Sequence, residues 1–133
     1  MNTLISNESA QEQVKAFLDY YDLDLDGIAD EDQRKNVMGA VDRLVRHIQA
    51  GRVEIGMSGD SLAVTQHLQG GASLAYQELT GSIRLEADKG NGVIGRMYCT
   101  VGALTGVGLA GIKKLRGKDV SAAECLGVLF LLV

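Results

Sequence analysis

Acidic side chains at regular spacing occupy residues 22–32, DLDLDGIADED. Alternate aspartates followed by a glycine are typical of a loop that wraps a calcium ion, because calcium takes several oxygen ligands and glycine permits the tight bend. The candidate ligands are Asp22, Asp24 and Asp26 through their carboxylates, Ile28 through its backbone carbonyl, and Asp30 through a water. The expectation is that the protein has no cofactor, and calcium is the alternative that this segment offers.

The same segment resembles the calcium loop of an EF-hand, and Leu18 and Tyr21 stand where the incoming helix of that motif carries apolar residues. Two positions depart from the motif. Gln33 replaces the bidentate glutamate, and the apolar residue of the eighth position is only Ala29, with the larger Ile28 one place early. The spacing also resembles the calcium repeats of thrombospondin-type modules, which occur in oxidising extracellular settings. The alternative interpretation is a solvated turn whose aspartates cap a helix.

The elements on either side of the acidic segment are predicted to form an N-terminal helical hairpin over residues 9–50. Ser9 and Glu12 fit a capping box, and apolar residues at helical spacing carry the first helix to residue 21. Asp30 can cap the second helix, whose apolar stripe ends at Ile48 before Gly51 stops it.

A change to alternating periodicity then predicts a small antiparallel sheet of about three strands over residues 52–87. The apolar positions of the first hairpin are Val53, Ile55 and Met57, then Leu62, Val64 and Leu68, with a turn at Gly59 and Asp60 between them. Residues 76–87 alternate again and are predicted to be the third strand.

Residues 93–133 are predicted to form a C-terminal helical hairpin. Its first helix carries Leu109, Ile112 and Leu115, a turn follows at residues 116–118, and its second helix begins at Asp119. The last nine residues, CLGVLFLLV, are apolar on every side, so we expect one face to meet the core and another to meet a partner or a second copy. The fold class is thus α+β, in a single domain of residues 1–133.

Composition narrows the class of protein. A chain of 133 residues with 46% apolar and 23% charged residues suffices for one modest core. Its net charge of −4 argues against a nucleic-acid partner, because phosphate contacts need a concentrated basic surface. The basic cluster at residues 113–118 is interpreted as a solvated helix end and turn.

The longest uncharged runs, residues 97–112 and 125–133, are too short to span a membrane, so no membrane partner is expected. The N-terminus lacks the basic and apolar regions of a secretion signal. Cys99 and Cys125 lie in apolar segments, which favours buried free thiols in a reducing compartment. We therefore expect a cytoplasmic protein.

No arrangement of a general acid and base emerges, so a non-enzymatic role is predicted. His47 and His67 have no metal-ligand spacing around them and are interpreted as surface residues. The glycines of residues 106–111 fit the letters of a dinucleotide fingerprint, but no βαβ unit surrounds them, so they are interpreted as packing positions.

A further pattern covers the second half of the chain. The positions that carry it are Leu104-Thr105-Gly106, Leu109, Leu115, Asp119, Leu126 and Phe130. This pattern resembles the C-terminal half of the small tail assembly chaperones of Mu-like and P2-like contractile-tailed phages. The resemblance implies a chaperone in the host cytoplasm that binds the tape-measure protein during tail morphogenesis. Two alternatives stay open: a small EF-hand-like calcium-binding module, and a structural component of the tail or baseplate.

Overall fold

Residues 5–133 are described by a computed structural model, in which α-helices flank a three-stranded antiparallel sheet. The helices are α1 (Asn7–Tyr20), α2 (Glu31–Gln49), α3 (Gly81–Glu86), α4 (Gly92–Thr105), α5 (Gly108–Lys113) and α6 (Lys118–Leu132). The strands are β1 (Val53–Ser58), β2 (Ser61–His67) and β3 (Ser73–Tyr76), and short 3-10 turns lie at Leu25–Gly27 and Ala87–Lys89. The predicted α+β fold class is confirmed.

The N-terminal helical hairpin forms as predicted, with one change at its start. The cap of α1 is Ser6, whose hydroxyl accepts a hydrogen bond from the Ser9 amide at 3.1 Å, so the helix begins before the predicted capping box. Asp30 caps α2 through the Gln33 amide at 3.0 Å, as predicted. Gly51 follows the helix with a φ of +79°, a conformation that glycine adopts without strain.

The sheet has the order β1-β2-β3, and the predicted hairpin of β1 and β2 is confirmed. The third strand was predicted in the wrong place, because it covers Ser73–Tyr76 while residues 81–86 form helix α3. The Thr80 hydroxyl accepts a hydrogen bond from the Ile83 amide at 3.2 Å and so caps that helix. Ile83 and Ala87 are one helical turn apart, and this spacing competes with the alternating pattern.

The C-terminal region contains three helices rather than the two of the predicted hairpin. The chain turns at Gly106, which ends α4 with a φ of +78°, and α5 then folds back against α4. A Cβ on Gly102 would lie 2.5 Å from the backbone carbon of Gly108, so glycine is required for this close approach. The cap of α6 is Gly117, and Asp119 lies inside its first turn rather than at the predicted cap.

Helix α6 lies at the centre of the fold. It packs against α2, α4 and β2, and Phe130 near its end contacts the ring of Phe17 at a centroid distance of 4.9 Å. Its buried residues are Ala122, Ala123, Cys125, Leu126, Gly127, Leu129 and Phe130. Val128, Leu132 and Val133 are half-buried and also pack against the core. Most of the apolar surface of this helix is therefore core, and the expectation that another face meets a partner stays a prediction.

Candidate functional site

The first half of the acidic segment forms a turn that is held by hydrogen bonds within the segment. Asp24 caps the short 3-10 turn, since its Oδ1 atom accepts a hydrogen bond from the Asp26 amide at 3.1 Å. Asp22 has a φ of +54°, a left-handed conformation that Asp tolerates better than most residues. All three aspartates are exposed to solvent. Their alternation therefore shapes a turn between α1 and α2.

In the second half of the segment, the predicted calcium ligands accept hydrogen bonds from other protein groups. The carbonyl oxygen of Ile28 accepts a hydrogen bond from the Arg34 guanidinium at 3.3 Å, which brings a cation to the place where calcium would sit. Asp30 Oδ1 is occupied by the Gln33 amide. Throughout residues 5–133, no group of three or more His, Cys, Asp or Glu side chains is gathered closely enough to hold a metal ion.

A polar cluster that the sequence did not indicate lies where α2 meets α6. His47 is buried, with 6% of its surface exposed, so its interpretation as a surface residue is wrong. Its Nδ1 atom accepts a hydrogen bond from Arg52 Nε at 2.8 Å, and its Nε2 atom lies 3.1 Å from Ser121 Oγ. Burial, followed by the charges of Arg52 and of surface cations nearby, lowers the pKa of His47 to about 4.

The contacts of His47 also decide which nitrogen carries its proton. Arg52 has donors and no acceptor, so Nδ1 must be the acceptor and the proton of the neutral ring must sit on Nε2. Nε2 then donates to the Ser121 hydroxyl. A serine nucleophile needs the opposite arrangement, in which Nε2 accepts the hydroxyl proton. This pair is therefore built for packing α2 against α6 and not for activating the serine.

A second buried polar group joins the sheet to the same helix. Gln66 is fully buried on β2, where its amide nitrogen donates to the backbone carbonyl of Asp119 at 2.8 Å. Its carbonyl oxygen accepts a hydrogen bond from the Tyr76 hydroxyl, also at 2.8 Å, and burial raises the pKa of Tyr76. Every polar atom of this group has a partner, so it fixes the register of α6 on the sheet.

The two cysteines are free thiols, as the sequence predicts. Cys125 is buried in α6, and burial raises the pKa of its thiol. Cys99 is half-buried on α4. Because a thiol acts as a nucleophile only when it is deprotonated, the environment of Cys125 favours a packing role.

Large apolar side chains are exposed near the start of α4. Leu85 on α3 is 66% exposed, and Val93 and Ile94 on α4 are 71% and 54% exposed. We call these three residues the apolar shoulder. A groove of about 310 Å³ lies next to it, and Leu85 is part of its wall. The rest of its apolar lining comprises Leu79, Ala87, Phe130, Leu131 and Val133, and its charged lining comprises Arg84, Asp88 and Arg96. The shoulder and the groove together offer apolar contact with two cations and one carboxylate beside it.

None of the helices described for residues 5–133 has the length and apolar character needed to cross a membrane. No protein-family model matches the chain, and neither the curated proteins nor the solved structures yield a match.

Sequence reasoning missed the buried polar residues although part of the signal was present. Gln66 shares the inward parity of Leu62 and Val64 on β2, so the alternating pattern itself places it in the core. His47 follows Leu44 by three residues and therefore shares the buried face of α2. Their partners on α6 are more than fifty residues away in the chain, and no local pattern indicates them.

Proposed function

We propose that this protein is a non-enzymatic phage or prophage tail assembly chaperone, which holds an apolar helical segment of the tape-measure protein during tail morphogenesis. The proposal is supported by the pattern of the C-terminal half, in which Leu104, Leu126 and Phe130 are core positions of this fold. The observation that carries it is the apolar shoulder, because its large apolar side chains are exposed whereas those of α6 are buried or half-buried.

The chemistry of the shoulder suits a helix as its partner. Leu85, Val93 and Ile94 each expose more than half of their surface to water, which is costly unless another apolar surface covers them. An amphipathic helix docks through apolar residues at helical spacing and keeps its polar face outside. Arg84 and Arg96 beside the groove can pair with carboxylates on the rim of such a helix.

The test is co-expression with the proteins encoded beside its gene, followed by co-purification. We expect the long helical tape-measure protein to be retained by the wild type and lost from the double variant Leu85→Asp and Ile94→Asp. Met57→Asp is the matched control, because Met57 is 54% exposed on β1 and outside the shoulder. Retention by the shoulder variant, or equal loss with the control, would contradict the proposal.

A structural role in the tail or baseplate is the second candidate, and it uses the same exposed surface. The two functions differ in the fate of the protein, since a chaperone leaves before the tail is complete and a structural component stays. Mass spectrometry of purified particles separates them. Stoichiometric presence of this chain in mature tails would favour the structural role.

A further inference from the structure

The acidic segment forms one charged end of the molecule. Its six acids are all exposed, and the cation that reaches into the segment is Arg34, which contacts the Ile28 carbonyl. They are Asp22, Asp24, Asp26, Asp30, Glu31 and Asp32. One of them, Glu31, forms a salt bridge with Lys35 at 3.5 Å, but both side chains are largely exposed and the pair therefore neutralises little. We call this set the acidic pole.

A cluster of cations lies at the other end of α2, although the sequence divides it between two distant segments. The cluster comprises Arg43, Arg46, Arg52, Lys114, Arg116 and Lys118, and we call it the basic pole. In the part of the chain that the structure describes, none of these cations forms a salt bridge. The single acid in residues 43–52 and 113–119 is Asp119, whose carboxylate accepts a hydrogen bond from the Gln69 amide.

Contacts between α2 and α6 bring the two basic segments together. Arg52 and Ser121 both contact His47, so the end of α2 and the start of α6 lie side by side. Leu68 and Gln69 then separate two adjoining grooves. One groove is lined by Arg52 and Lys118, and the other by Lys114 and Arg116. The basic pole is thus continuous across both.

The two poles are too far apart to neutralise each other within one molecule. The nearest members of the two poles, Asp32 and Arg43, are 11 residues apart on α2, which separates them by about 16 Å along the helix axis at 1.5 Å per residue. Exposed charges are screened over a Debye length of about 8 Å at physiological salt, so the poles interact negligibly through the solvent. Each pole therefore remains available to an oppositely charged surface outside the molecule.

We propose that a second copy of this chain supplies that charge, with the acidic pole of one copy docked on the basic pole of the next. The two poles are opposite in charge, and charge complementarity of this kind favours encounter and fixes orientation. Because the two surfaces differ, the contact is heterologous and leaves a free pole at each end. Association therefore continues past the dimer as head-to-tail chains. This inference is independent of the tape-measure partner proposed above.

The experiment uses two variants that each neutralise three of the six charges of one pole and spare the contacts that fold the chain. The acid-neutral variant carries Asp22→Asn, Asp26→Asn and Asp32→Asn, which leaves the caps Asp24 and Asp30 in place. The base-neutral variant carries Arg46→Gln, Arg116→Gln and Lys118→Gln, which leaves Arg52 on His47. A control variant, Glu8→Gln, Glu12→Gln and Asp60→Asn, changes the net charge as much as the acid-neutral variant does, at exposed positions away from the acidic pole.

Sedimentation velocity at 50 mM and 500 mM NaCl measures the oligomeric state of each protein. We expect the wild type and the control to form oligomers larger than dimers at low salt and to dissociate at high salt, while each pole variant stays monomeric at both. A mixture of the two pole variants should stop at the dimer, because one intact acidic pole meets one intact basic pole. Circular dichroism verifies that every variant is folded.

Three outcomes would overturn the inference: a monomeric wild type at low salt, a pole variant that associates as the wild type does, or a mixture that remains monomeric. A short DNA duplex added to the wild type tests the other polyanion that a basic surface attracts. Binding of the duplex without any self-association would assign the basic pole to nucleic acid and contradict the head-to-tail contact.

Discussion

Acidification should destabilise this protein through His47, whose pKa lies at about 4 in the folded state against an ordinary value of 6.5. Between these values the unfolded chain binds a proton that the folded chain does not, so the free energy of unfolding rises with pH. The contribution of the neutral ring is therefore complete above pH 6.5 and is lost as the pH falls toward 4. The cause is burial of the ring first, and the neighbouring arginines second.

The size of this effect follows from the interval between the two pKa values. At 1.36 kcal/mol per pH unit the interval sets a ceiling of about 3 kcal/mol. Because Arg43, Arg46 and Lys118 are exposed and their charges are screened by solvent, we expect a loss of about 2 kcal/mol between pH 7 and pH 4.5. That is a large fraction of the stability of a domain of this size.

The assay compares urea unfolding of the wild type and of His47→Gln at the two pH values. Glutamine keeps one acceptor for Arg52 and one donor for Ser121 but does not titrate. The carboxylates contribute equally to both proteins, so the difference between their pH dependences isolates His47. Equal pH dependence in the two proteins would refute the reasoning.

Two further substitutions test the close packing of α4 and the role of the acidic segment. Gly102→Ala should destabilise the protein by about 1–3 kcal/mol, because its Cβ would clash with the backbone of α5. The control is Gly39→Ala, which should stabilise α2 by about 0.5–1 kcal/mol, because the nearest atom to its Cβ is 3.6 Å away on a flexible side chain. A Gly102→Ala variant with wild-type unfolding temperature would contradict the contact. Asp24→Ala should cost about 1 kcal/mol by removing a cap, and the loss should be the same in EDTA and in millimolar calcium. If calcium raises the unfolding temperature of the wild type and not of this variant, the EF-hand-like alternative is supported instead.

The sequence predicted those elements for which two independent signals agree. Helix α2 has both a cap at Asp30 and a stop at Gly51, and both are where the sequence places them. Residues 76–87 carried one signal, alternation, against the cap at Thr80 and a helical spacing, and there the prediction of a strand was wrong. A local sequence pattern therefore predicted these elements correctly where no second pattern in the same residues favoured a different structure.

The features that define the candidate surfaces depend on contacts between distant parts of the chain. The basic pole needs Arg52 and Lys118 to meet, and the 65 residues between them contain the whole sheet and α3 to α5. The resulting surface is concentrated although the chain as a whole is acidic. The net charge of the chain therefore could not indicate the basic pole. A basic surface of this kind is what a nucleic-acid partner would need, which is the class of partner that the composition argued against.

The apolar end of the chain shows how the same observation supports opposite conclusions until packing is known. A helix that is hydrophobic all round is either buried or bound, and nothing within residues 125–133 separates these cases. The deciding fact is that α2, α4 and β2 surround α6, which uses its apolar surface as core. Leu85, Val93 and Ile94 remain in water after the core is complete, and the partner contact proposed above rests on them for this reason.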